Sequence, residues 1–375
     1  MMVPAVRVAL LYGGIVAGTV AITELAARAV GWSPQYYAFP RAVDSLGNER
    51  YGHASGGYGD LMPGQDGHWL NWYHRPYRVQ SNSVGLRNVE EPRAGAVRVL
   101  AVGDSQTFGP YQTNEDTWPG WSQALLRRRL SGTMDVQVFN AGVSGYTVED
   151  IVELLDQKAL NLEPHVIVLA AYENDLTDFR AASRTKFSRR TKDPESTDIA
   201  FKEVRDLLRR VSALYNLARE LREIATEKIV VTGARGITPA PAPEPQQANS
   251  QSDIAALRDA YAQSFRRLHA LVVGRKIPLL VFFIPSPDAL ALGSPSLLAP
   301  LLRDLTDELG IGYVDLTAPL QEVPDGTETV FLLQWSDKTR AFEGNGHLSR
   351  YGARLVGAAV SDRLLAHPAL DASSR

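Results

Sequence analysis

One stretch limits what this chain can fold into more than any other: Val97-Arg-Val-Leu-Ala-Val-Gly-Asp-Ser-Gln-Thr-Phe-Gly109. A run of β-formers stops at Gly103-Asp104-Ser105, and a glycine follows four residues after the serine. An apolar run this continuous reads as a strand buried on both faces of a parallel sheet. Proteins built that way set their chemistry just past the strand C-termini. Ser105 therefore stands where a nucleophile would be presented. The same residues also suit a plain turn with a helix-capping serine. The rest of the chain must supply partners to decide between the two.

Strands and helices alternate from there. Trp118–Leu130 carries Trp118, Trp121, Leu125 and Leu126 at helical spacing. Val136–Phe139 is a second strand, ending in Asn140-Ala-Gly-Val-Ser-Gly145, and Val148–Leu160 reads as a helix. Val166–Ala171 is a third strand, running into Tyr172-Glu-Asn-Asp175. Pro278–Ile284 and Tyr313–Leu316 are strands four and five, around a helix near Leu297–Leu309, and Leu348–Leu365 is the closing helix. This alternation indicates βαβ units, hence a parallel sheet with helices on both faces.

Composition removes whole classes of chemistry. The sequence has no cysteine, which excludes disulfides, thiolate metal sites and cysteine nucleophiles. A formal net charge of -3 argues against a nucleic-acid binder, which would be clearly basic. With 45% hydrophobic and 22% charged residues, the 375-residue chain forms a core. It has room for one large α/β domain with appendages, or for two domains.

Three segments lie outside the alternating pattern. Residues 1–30 hold an uncharged span, Val8–Thr23, between Arg7 and Glu24. We read it as an uncleaved transmembrane anchor with a cytoplasmic N-terminus, extended at both ends to the roughly 20 residues a bilayer needs. A cleaved signal peptide, using Ala27-Arg-Ala29, and an amphipathic helix of the soluble domain are the rivals. Gly14 and Gly18 form a G-x-x-x-G, a weak hint of self-association. Residues 31–95 read as an irregular arm rich in aromatics, glycine and proline. Its His53, His68 and His74 match no metal-ligand spacing, and no metal or cofactor is expected. The third is an insertion at 177–252. It holds a basic run (Arg180–Lys192), a helix with Phe201, Val204, Leu208, Val211 and Tyr215 on one face continuing through Leu221, and a linker over Thr238–Asp253. The basic run is a solvated loop or a contact for anionic lipid head groups or an acidic polymer.

The strand ends now offer a constellation. Ser105, Gly145 and Asn174 follow strands one, two and three, and the C-termini of a parallel sheet share one edge. A serine nucleophile needs a base for its proton and donors for the oxyanion formed on attack. Asn174 has a side-chain N–H to offer, and Gly145 a backbone N–H with no Cβ in the way, with Gly142 as an alternative donor. His347, in Glu343-Gly-Asn-Gly-His-Leu-Ser-Arg-Tyr-Gly352 before the last helix, is the favoured base. His165 begins a strand and His269 sits within a helix, so both are placed away from that edge.

Gly103-Asp-Ser105, the Asn140–Gly145 stretch, Glu173-Asn-Asp175 and His347 stand in the order of the four blocks of the SGNH (GDSL-type) hydrolases, and residues 97–366, less the insertion, resemble that family. The resemblance implies a three-layer α/β/α, flavodoxin-like fold with a five-stranded parallel sheet, in a hydrolase domain spanning 96–368. It implies Ser105 as nucleophile, His347 as base, and an oxyanion hole of the Ser105 N–H, the Gly145 N–H and the Asn174 side chain. Members of the family usually carry an aspartate three residues before the histidine; here that position is Gly344. Glu343, Asn345 and Asp337 are candidates to orient the imidazole, as is a backbone carbonyl serving a Ser–His dyad. The expected function is a membrane-anchored serine esterase or O-acyltransferase acting on an acylated carbohydrate or lipid, with its domain on the periplasmic or extracellular side of the cytoplasmic membrane. A lipase using the 201–221 helix as a lid, and a catalytically weak module that binds glycan or scaffolds a membrane assembly, are the alternatives.

Overall fold

A computed structural model describes residues 4–29, 41–43, 49–51, 60–61, 63–64, 66–70, 76–176, 208, 212–215, 217–218, 251–324, 326–336 and 341–370, some of them in backbone only. The chain divides into two compact units: Met1–Ala38, Gly67–Leu70 and Asp193–Gln247 in one, and Phe39–Asp66, Asn71–Lys192 and Ala248–Arg375 in the other.

The larger unit is built on a five-stranded parallel sheet. Its strands are β1 (Val97–Gly103), β2 (Val136–Asn140), β3 (Val166–Tyr172), β4 (Leu279–Ile284) and β5 (Gly312–Asp315), in the order β5-β4-β3-β1-β2. Side chains alternate between two apolar layers. Leu100, Val102, Ile167, Leu169, Val281 and Phe283 face one cluster, and Val99, Ala101, Val168, Ala170, Leu280 and Phe282 the other. Both faces are buried over most of the sheet, which explains why the strands read as largely apolar runs, broken only at Arg98, Gln137, Asn140 and Asp315. The first face is covered by α3 (Val148–Gln157), α4 (Gln251–Val273) and α5 (Leu298–Leu309), through Ile151, Leu154, Tyr261, Phe265, Leu302 and Leu305. The second is covered by α2 (Trp118–Arg129) and α6 (Arg350–Leu365), through Trp118, Leu126, Val356 and Val360. The three-layer arrangement agrees with expectation, and the five predicted strands are present within one or two residues.

Some expectations are corrected. The closing helix starts at Arg350, capped by the Ser349 hydroxyl, and not at Leu348. Residues 341–348 form a strand instead, β7 (Ala341–Leu348), paired antiparallel with β6 (Phe331–Ser336). The predicted linker ends early, because α4 begins at Gln251. The helix over 148–160 stops at Gln157 and continues as a 3-10 turn at Ala159–Leu162. The arm is not wholly irregular: Arg41–Val43 pairs with both Glu49–Tyr51 and Asp60–Leu61. Nor does its last part stand apart from the domain. Asn88 brackets the β2 edge, donating to Val138 O at 2.9 Å and accepting from Asn140 N at 2.8 Å. The basic run 180–192, His53, His74, Asp337 and most of the 201–221 helix lie outside the described residues.

In the smaller unit, Pro4–Ala29 is one 26-residue helix whose side chains are described from Leu11 on. Among the described residues no helix is long and apolar enough to cross a membrane. Glu24 has a docking role that its sequence did not suggest. Its carboxylate accepts from Ser212 Oγ, Ala213 N and Leu214 N, all at 2.9 Å, at the start of the helical residues 213–215. A carboxylate at a helix start satisfies otherwise orphaned N–H groups.

Candidate active site

The strand order decides the geometry. β1 lies between β2 and β3, so Ser105 emerges between the loops that carry Gly145 and Asn174. It is also the topological switch point of the sheet, where connections leave in opposite directions and open α/β sheets form their crevice.

Ser105 opens a single helical turn, α1 (Ser105–Phe108). Asp104 caps it, accepting from Gln106 N at 2.8 Å. The approach is tight: a Cβ on Gly103 (φ +155) would lie 2.6 Å from Ala170 O on β3, so only glycine lets the turn close so near its neighbour. Ser105 is 9% exposed. Its hydroxyl donates to Asp104 Oδ2 at 3.3 Å, long for an O–H donor, which leaves it free to turn toward a better acceptor.

The loop after β2 is held beside this turn on both sides. Ala141 N donates to Ala101 O at 2.8 Å and Val143 N to Gly103 O at 3.1 Å, extending the β1–β2 pairing past the strand ends. Asn140 Nδ2 donates to Thr107 O at 2.8 Å. The Gly142 N–H is engaged with Asn140 Oδ1 at 2.9 Å, which takes it out of contention as an oxyanion donor. Gly145 has left-handed backbone, φ +76. After β3, Tyr172 N donates to Asp175 Oδ2 at 3.2 Å, which closes the turn carrying the half-buried Asn174.

His347 lies in β7, two residues before the helix cap, and α1 packs against β7 as well as β3. Burial pushes its pKa down to about 4, so the ring is neutral near pH 7. Tyr111 meets it edge-to-face, with ring centroids 5.6 Å apart at 83°. Tyr111 holds φ +68, a conformation that costs a non-glycine residue about 1 kcal/mol and persists where surroundings enforce it. The side chains of Glu343 and Asn345 lie outside the described residues, as does Asp337. His165 is engaged at the other edge of the sheet, where its Nδ1 accepts from Arg98 N at 3.1 Å.

Sequence reasoning missed four residues around this site: Arg87, Gln106, Tyr111 and Gln112. The fully buried Arg87 donates to Phe108 O and Gly109 O at the end of α1 and to Gln112 O, and its guanidinium lies 4.5 Å from the Phe108 ring centroid. Burial pulls its pKa down to about 10, still charged at neutral pH. A charge in a stretch that otherwise reads as loop gave no signal. Replacing Arg87 with Met leaves three carbonyls short of a donor but also removes a desolvated charge. We expect a net loss of about 2 kcal/mol, seen as a lower midpoint in urea unfolding at unchanged slope.

A cavity of about 400 Å³ lies nearby, lined by Arg87, Glu90, Asn114, Trp121, Arg127 and Arg350 among others, but neither Ser105 nor His347 borders it. Four of its charged groups are paired with one another, Arg127 with Glu90 and Arg350 with Asp116. No metal-binding cluster of His, Asp or Glu occurs among the described residues.

Comparison with known proteins places the chain. No curated protein matches its sequence. Solved structures similar to it include a putative lipolytic protein of the G-D-S-L family from Desulfitobacterium hafniense DCB-2 (14% identity, 71% of this chain and 98% of that one, TM-score 0.39). Others are a lipase/acylhydrolase from Enterococcus faecalis (16%, 71% and 94%, 0.38) and a catalytic mutant of the acetylxylan esterase Axe2 from Geobacillus stearothermophilus (13%, 74% and 95%, 0.39). The model of the GDSL-like lipase/acylhydrolase family matches residues 101–293, just over half the chain, beginning within β1 and covering Ser105, Gly145 and Asn174. The chain belongs to the GDSL-like (SGNH) lipase/acylhydrolase family and is a hydrolase acting on ester bonds.

Proposed function

We propose that the protein is a serine esterase working through an acyl-enzyme. Ser105 is the nucleophile, His347 the general base, and the Ser105 N–H, the Gly145 N–H and the Asn174 side chain form the oxyanion hole. One observation carries the reading: β1 lies between β2 and β3, so the serine turn is flanked by the two loops that would supply oxyanion donors. His347 takes the Ser105 proton as the hydroxyl attacks the ester carbonyl. It then returns that proton to the leaving alcohol as the tetrahedral intermediate collapses. Water, or an acceptor hydroxyl in a transferase, repeats the sequence on the acyl-enzyme.

The substrate class proposed is an acylated carbohydrate or lipid, met outside the cytoplasm by a protein anchored through residues 1–30. The uncharged Val8–Thr23 span and the exposed Leu11, Ile15, Val16, Val20 and Ile22 support the anchor. The mechanism is tested with a fluorophosphonate probe: the wild type should be labelled and Ser105→Ala should not. A wild type that stays unlabelled and does not turn over p-nitrophenyl acetate would overturn the acyl-enzyme reading.

The low pKa of His347 makes a second prediction. Below its folded pKa the imidazole is protonated and cannot accept the serine proton; above it the base is ready. The acid limb of kcat/KM should therefore fall near pH 4, well under the ordinary histidine value of about 6.5. A limb at 6.5 would show that the histidine in use is solvated.

A further inference from the structure

We propose that Gln106 is a positioning residue that sets His347 against Ser105 by gripping the backbone on both sides of the histidine. The proposal rests on Ser105 and His347 being nucleophile and base. Gln106 directly follows Ser105 and is 2% exposed. Its carboxamide reaches across to β7, where Nε2–H donates to Gly346 O and Oε1 accepts from Leu348 N–H at 3.2 Å. One side chain thus engages the peptide groups before and after His347. A carboxamide carries the donor and the acceptor on two separate atoms of one planar group; a carboxylate lacks the donor and an alkyl chain lacks both.

The hairpin explains why those groups need a partner. Phe331 pairs with Leu348 and Leu333 with Gly344, so four residue steps on β7 oppose two on β6. His347 sits within this bulge, where the ladder is interrupted and a side chain can be re-aimed. Gly346 holds φ +82 there, and a Cβ on it would lie 3.0 Å from Tyr172 Oη, so the bulge is wedged against the end of β3. Gln112 fastens the next carbonyl, donating from Nε2 to Leu348 O at 2.7 Å. With glycine at position 344, no side chain there can hold the ring, and the backbone grip holds its point of attachment instead. Because Gln106 adjoins the nucleophile, the grip ties base and nucleophile to one short turn.

The test uses the full chain with p-nitrophenyl acetate, and fluorophosphonate titration to count reactive serines. Gln106→Leu, which loses both bonds, should lower kcat per titrated serine about 10- to 100-fold, the scale of a displacement near 1 Å, with KM within about twofold. A role in folding alone would reduce the number of titratable serines and leave kcat per serine unchanged, and that result overturns the proposal. Should Gln106→Leu fail to fold, Gln106→Glu keeps the acceptor for Leu348 N–H but loses the donor to Gly346 O. It should also lower kcat per serine, and an unchanged value would again refute the grip. Ser105→Ala run alongside separates the two levels: if it stays active, the site itself has been misassigned.

Discussion

Ser105→Ala is expected to lower kcat for p-nitrophenyl acetate by about 10⁴- to 10⁶-fold, leaving the residual rate that binding and oxyanion donors alone provide. The change deletes one oxygen from a 9% exposed side chain whose hydroxyl makes a single long contact, to Asp104. The helix cap does not depend on it, because Asp104 accepts from the Gln106 backbone N–H. The fold should therefore survive with an unchanged unfolding midpoint, and the loss can be assigned to chemistry. No cysteine exists to act as a substitute nucleophile. Activity within tenfold of wild type would mean that another group attacks, and would end the acyl-enzyme assignment.

The second large effect is expected at Asn174. Asn174→Ala should cost about 10²–10³-fold in kcat with KM little changed, because an oxyanion donor strengthens its bond only as charge develops on the carbonyl oxygen. The turn around it is closed by Asp175 and the Tyr172 N–H, neither of which the substitution touches. Asn174→Asp is a sharper version, since it removes the donor and sets a negative charge where the oxyanion would form. It should be slower than Asn174→Ala at neutral pH. Steady-state kinetics with the same ester measures both, and an unchanged kcat in Asn174→Ala would remove the residue from the oxyanion hole.

Several parts of this site could be read directly from the residues. β1 was visible because burial on both faces requires apolar residues at nearly every position, Arg98 being the one partly exposed exception, and the Gly103-Asp-Ser105 break marked its end. The blocks at Asn140–Gly145 and Glu173–Asp175 were visible for the same reason, each at the end of a buried, mainly apolar run interrupted only by Gln137. The β6–β7 hairpin was not. Ala341-Phe-Glu-Gly-Asn-Gly-His-Leu348 has neither alternating nor helical apolar spacing, and its bulge removes the regular period that a strand would show. Arg87 was hidden because all but one of its partners (Asn114 Oδ1) are backbone carbonyls, which any sequence provides.

The sequence by itself determined the five strands of the parallel sheet, the three-layer class and the residue types able to do ester chemistry, because these follow from local periodicity and from groups carried on single residues. Only the tertiary structure decided how they meet. Strand order puts β1 between β2 and β3, so Ser105 stands between Gly145 and Asn174, and parallel strands adjacent in space need not follow one another in sequence. It also engaged the Gly142 N–H elsewhere, which favours Gly145 as the donor. The Gln106 grip on both sides of His347 spans some 240 residues, a separation at which no local pattern carries information.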